Sequence, residues 1–88
     1  MKQVVFASRA KKDYEEWSRR NKKVFSKINE LIGNIDLHPF TGLGKPKPLK
    51  HELAGYWSRR INSKDRLVYQ ISPQNEIVII SCKGHYRD

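Results

Sequence analysis

The segment His38–His51, HPFTGLGKPKPLKH, divides the chain into halves that do not share one kind of secondary structure. Pro39, Pro46 and Pro48 lack backbone N–H groups, and Gly42 and Gly44 release the backbone, so residues 38 to 50 are expected to form a loop. Before it, apolar residues recur at helical spacing; after it, they alternate or run together as in strands. The chain has 88 residues, enough for one domain spanning 1–88 and one core, so the two halves must pack on each other.

Residues 3 to 6 (QVVF) read as a short strand. From Ser8, a candidate N-cap, Ala10, Tyr14 and Trp17 form a helical stripe that SRRNKK (18 to 23) interrupts. Val24, Phe25, Ile28, Leu31, Ile32 and Ile35 then form a wide apolar face on a second helix, with Asn21 at its start and Pro39 limiting it to about Leu37. Three strand-like runs follow, at 56 to 62, 66 to 71 and 76 to 82, joined by the short turns SKD and SPQN. The expected fold is α+β: two N-terminal helices packed on one face of a twisted, mainly antiparallel sheet, in the order β-α-α-β-β-β.

A three-residue hairpin loop at 63 to 65 sets Asn62 opposite Arg66 and Arg60 opposite Val68. One face then carries Trp57, Arg59, Ile61, Leu67, Tyr69 and Ile71 towards the helices. The other carries Tyr56, Ser58, Arg60, Arg66, Val68 and Gln70, and is expected to be open, with Arg60 and Arg66 meeting on it. A four-residue loop at 72 to 75 adds the odd-numbered residues of the last strand to that open face, including Ile77, Ile79, Ser81, Lys83 and His85, and a loop one residue shorter or longer reverses this. Val68, Ile77 and Ile79 would then be an apolar patch available to a partner.

The formal charge of +9 favours a polyanionic partner such as nucleic acid. The single cysteine, Cys82, excludes an internal disulfide and a cysteine-rich metal site, and its apolar surroundings suggest a buried thiol. No apolar run is long enough to span a membrane and no signal peptide is evident, so the cytoplasm is the expected compartment. A glycine cradle for nucleotides, an HExxH motif and a serine-triad signature are absent. His38 and His51 read as structural. Two arginines with few acids nearby make a site for a phosphate, and His85 could serve as a general acid beside them. Tyr86 offers a ring for a base to stack on.

The stretches KINELI (27 to 32), HPFTGLGKPKPLKH (38 to 51), GYWSRRI (55 to 61), RLVY (66 to 69) and the terminal His85-Tyr86 resemble the YoeB/Txe branch of the RelE-type bacterial toxins, over essentially the whole chain. The resemblance implies a RelE-like fold and a metal-independent endoribonuclease without cofactors, which cleaves mRNA in the ribosomal A site. It also implies a YefM/Phd-type antitoxin as partner, and toxins of this branch often form homodimers. Carried over by position, Arg66 stabilises the scissile phosphate, His85 is the general acid and Tyr86 orients the RNA, while Lys50 and Arg60 hold its backbone. The basic residues Lys45 and Arg59 beside them are further candidates for RNA binding.

One position departs from the pattern. Where the branch reads GKPEPLKH, with the glutamate as general base, this chain has Lys47. Three outcomes follow: a slowed site without its base, a lysine that sheds its proton among Lys45, Lys50 and the arginines, or a substitute acid such as Glu52. The competing functions are an A-site binder that blocks translation without cutting, and a gyrase inhibitor of the ParE type, which shares the fold.

Overall fold

The computed structural model describes residues 1–85. The chain runs β1 (Val4–Phe6), α1 (Ser8–Arg20), α2 (Lys22–Leu37), β2 (Lys47–Pro48), a single 3₁₀ turn (His51–Leu53), β3 (Trp57–Arg60), β4 (Arg66–Ile71) and β5 (Ile77–Ser81). The sheet order is β1-β5-β4-β3-β2, with β1 parallel to β5 and the other pairs antiparallel. The expected α+β architecture therefore holds, enlarged by the two-residue edge strand β2, which carries two residues of the expected loop.

The helices form where their apolar spacing places them. Asn21 separates them: its extended backbone (φ −151°) ends α1, and its side chain accepts a hydrogen bond from the Val24 N–H at 3.1 Å to cap α2. Ser8, by contrast, is the first residue of α1 and does not cap it; Ala7 holds that position. Ile28, Leu31, Ile32 and Ile35 of α2 pack with Ala10, Leu67, Tyr69, Ile77, Ile79 and Cys82 in one core. Trp17 closes its edge, donating from Nε1 to the Cys82 carbonyl at 3.0 Å.

The strand registers differ from expectation in two ways. Arg60 pairs directly with Arg66, and Ser58 with Val68, a shift of two residues that leaves every side chain on its expected face. On β5, Ile77 pairs with Ile71 and Ile79 with Tyr69, and an irregularity beside Val68/Tyr69 then brings Ser81 opposite Val68. Ile77 and Ile79 are consequently core residues, fully buried, and not part of a partner patch. The cause is the loop, which spans 72 to 76 and is one residue longer than expected, so the register and with it the faces of Ile77 and Ile79 are reversed. The irregularity lies beyond them and returns Ser81 to the face of Val68. Nor is the face of Ser58, Arg66 and Val68 open; all three are buried.

Arg59 also departs from expectation. It is 1% exposed, so it is a structural residue and not an RNA contact. Its Nη1 donates to Asn34 Oδ1 (2.6 Å) and the Leu43 carbonyl (3.0 Å), and Nη2 donates to the carbonyls of His38 (2.6 Å) and Thr41 (2.9 Å). Nε donates to Tyr69 Oη at 3.2 Å, and that hydroxyl donates to the Pro39 carbonyl at 2.6 Å. The guanidinium thus ties the loop after α2 to the centre of the sheet. A buried cation is tolerated here because its donors meet oriented dipoles in a fixed fork.

Two outcomes test this packing. Arg59→Ala takes this donor from the carbonyls of His38, Thr41 and Leu43 and from Asn34 Oδ1, and is expected to cost about 3 kcal/mol in chemical denaturation. For Cys82, burial first, then the charges of Asp13 and Asp65, push the thiol from 9.0 up to about 12. The folded state holds this proton more tightly than the unfolded chain. The associated stability is therefore complete below about pH 9 and is lost as pH rises towards 12. A thiol reagent at pH 8 is expected to leave the native protein unmodified and to react once denaturant is added.

Candidate active site

The face of β3 and β4 turned away from the helices is the floor of a cleft, which explains its burial. A cavity of about 270 Å³ there is lined by Lys45, Lys47, Ser58, Arg60, Arg66 and His85. Five of these are basic side chains from three separated parts of the sequence, and no carboxylate lines the cavity among the described residues.

The loop reaches the cleft through Gly44. This residue has φ +79°, and a Cβ there would lie 2.9 Å from Leu31 Cδ2 and 3.1 Å from the Arg60 carbonyl. Its own carbonyl accepts the Arg60 N–H at 2.7 Å. Only glycine lets the loop approach the core so closely. Lys45 follows in the left-handed region as well (φ 54°), a strained conformation for a residue with a side chain, as is common where geometry serves a site. Pro46 then leads into β2, where Lys47 pairs with Ser58 and Pro48 with Trp57. An edge strand tolerates Pro48, whose ring cannot donate to a ladder.

Arg66 is aimed by the turn before it. Its Nη1 donates to the carbonyls of Asn62 (2.8 Å) and Asp65 (3.1 Å), while Asn62 Oδ1 accepts the N–H groups of Lys64 and Asp65 at 2.8 Å each. Opposite it, Arg60 is exposed at the rim. His85 arrives from the tail, which leaves β5 and is secured before it reaches the cleft. Ser81 Oγ donates to the Lys83 carbonyl at 3.3 Å, and Lys83 Nζ lies 3.5 Å from Glu16 Oε1.

Of the residues expected at the site, Lys45, Lys47, Arg60, Arg66 and His85 converge on one cavity. Lys50 follows β2, is exposed and does not line it; Arg59 is in the interior. Tyr86 lies outside the described residues. Glu52 sits in the 3₁₀ turn and does not line the cavity either. Ser58 is an addition, present on the floor by strand alternation. No group of three potential metal ligands occurs among the described residues, and no helix there is long and apolar enough to cross a membrane.

Chemically, such a cleft suits a phosphate. Guanidinium forks and ammonium groups stabilise negative charge in a partly enclosed space, and imidazole is the side chain that exchanges protons near neutrality.

Comparison with known proteins agrees with this fold. Residues 6–86 match the family described as the YoeB-like toxin of the bacterial type II toxin-antitoxin system. Toxin YoeB of Synechocystis sp. is 48% identical over 84 residues, covering 96% of each chain. Among solved structures, a YoeB/ParE toxin from Agrobacterium tumefaciens superposes with a TM-score of 0.93 at 45% identity, covering 96% of this chain and 99% of that one. A YoeB-YefM complex from Staphylococcus aureus gives 0.90 at 46% identity (98% and 99% covered), and a YoeB dimer from the same organism gives 0.89 at 45% (97% and 98%). A family match over nearly the whole chain, on a fold that superposes this well, makes the protein a member of the YoeB-like toxins of bacterial type II toxin-antitoxin systems.

Proposed function

We propose that this toxin is an endoribonuclease that cleaves mRNA in the A site of the translating ribosome. The observation that carries the reading is the convergence of Lys45, Lys47, Arg60, Arg66 and His85 on one cavity. In the proposed reaction, the ribose 2′-hydroxyl attacks its neighbouring phosphate. The P–O5′ bond breaks, leaving a 2′,3′-cyclic phosphate on one fragment and a 5′-hydroxyl on the other. His85 gives its proton to the departing 5′ oxygen. Arg66, with its guanidinium oriented by the Asn62 and Asp65 carbonyls, stabilises the negative charge that accumulates on the phosphorane. Lys45 and Arg60 hold the backbone on either side, and positive charge from side chains serves in place of a metal.

Lys47 is the base in this scheme. An ammonium cannot accept the 2′ proton, so the role requires the neutral amine. The activity is then retained but altered relative to a site with a carboxylate. A second reading, an A-site binder that does not cut, is favoured by the same missing carboxylate. By similarity to the S. aureus proteins, the partner that silences the toxin is a YefM-type antitoxin, and a homodimer is the proposed free form.

The test is to add the protein to ribosomes programmed with a defined mRNA and to map 5′ ends by primer extension. A new end within the A-site codon is expected, and His85→Ala should reduce its rate at least about 100-fold. Stalled ribosomes with intact mRNA would establish the binder instead. In the same assay, Lys47→Met, which keeps the length of the side chain but cannot accept a proton, is expected to reduce the rate about 100-fold. A rate unchanged by this substitution would remove Lys47 from the base role. Binding should weaken steeply with added salt, as it does when cations replace phosphate counterions.

A further inference from the structure

The proposed chemistry leaves one buried acid without a part. Asp65 is 9% exposed, at the end of the turn that precedes β4. Its Oδ1 accepts the N–H of Gly84 at 2.8 Å, and the N–H of the next residue, Arg66, donates to the carbonyl of the same Gly84 at 3.0 Å. Gly84 is therefore held at both its backbone groups by two consecutive residues. It also turns the chain, with φ +78°, immediately before His85. Asp65 is itself held firmly: its N–H donates to Asn62 Oδ1, and its carbonyl accepts from Ile61, from Asn62 and from Arg66 Nη1.

We infer that Asp65 is a positioning residue for His85. Its carboxylate fixes Gly84 so that the imidazole enters the cleft beside Arg66. The inference rests on the proposed reading of His85 as the general acid. One turn then sets both partners of the reaction, orienting the arginine through its carbonyls and the histidine through its acid. Without the Asp65 contact, Gly84 keeps the bond from Arg66 to its carbonyl but loses the one at its N–H, and the peptide that leads into residue 85 gains freedom. Proton transfer needs the donor within hydrogen-bond reach of the leaving oxygen, so a displacement of about 1 Å is enough to cost up to 100-fold in rate.

The test pairs two readouts. Amide hydrogen exchange in the free protein, followed by NMR, is expected to show a protected Gly84 N–H in the wild type and at least 10-fold faster exchange in Asp65→Ala. Single-turnover mRNA cleavage on programmed ribosomes is expected to fall about 10-fold or more in Asp65→Ala, with ribosome affinity unchanged. Asp65→Asn, which keeps an accepting oxygen at the same position, is expected to restore most of both. In a His85→Ala background, Asp65→Ala should cause no further loss of rate, because the acid acts through the histidine.

An unprotected Gly84 N–H in the wild type overturns the inference even if Asp65→Ala fails to fold. A rate that depends on His85 but not on Asp65, or losses that add independently in the double variant, overturns the Asp65 role alone. A rate unchanged by His85→Ala overturns the general-acid reading, and the positioning role with it.

Discussion

The guanidinium of Arg59 is the constraint on which the rest of the molecule depends. A loop rich in proline and glycine cannot organise itself, because its carbonyls have few partners along their own chain. Arg59 supplies those partners from the middle of the sheet, binding the carbonyls of His38, Thr41 and Leu43 and the side chain of Asn34. With the loop fixed at its start, Gly44 can approach Leu31 and dock its carbonyl on Arg60. Lys45 and Lys47 are carried into the cleft from there. A buried charge with neutral partners is costly in isolation, and here its cost is offset by satisfying several otherwise orphaned acceptors at once.

The cleft gathers like charges that would repel if the chain were free to separate them. Lys45 and Lys47 come from the loop and β2, Arg60 and Arg66 from the β3–β4 hairpin, and His85 from the tail. Each is held by backbone geometry: left-handed turns at Gly44 and Gly84, the Lys47–Ser58 pair, and the Asn62 turn beneath Arg66. The scaffold therefore sustains an electrostatic potential that a polyanion relieves on binding, consistent with the chain's net charge of +9.

Much of this was legible in the residues. Apolar spacing placed both helices, and Asn21 marked the break between them. Alternation assigned the faces of β3 and β4 correctly even though the pairing lay two residues away, because a shift of two preserves the faces. The same alternation placed Arg59 towards the helices, but its charge suggested RNA. What it bonds to are backbone carbonyls, which leave no trace in a side-chain pattern. Ile77 and Ile79 were misassigned because the loop before β5 spans 72 to 76, one residue longer than expected, and a one-residue change of register reverses the faces. The grouping of Lys45 and Lys47 with the arginines depends on a two-residue strand too short to read from sequence. Asp65 resembled an ordinary turn residue until its long-range contact with Gly84 was seen.

The central claim is that the cleft turns a ribose hydroxyl against its own phosphodiester. Replacing the ribose on the 5′ side of the cleaved bond by 2′-deoxyribose, within an otherwise ordinary mRNA on the ribosome, tests it most directly. The account predicts that cleavage at that bond disappears while toxin binding persists, and that the ribose-containing control yields a 2′,3′-cyclic phosphate and a 5′-hydroxyl. Cleavage that survives the 2′-deoxy substitution, or fragments ending in a 3′-hydroxyl and a 5′-phosphate, would contradict it.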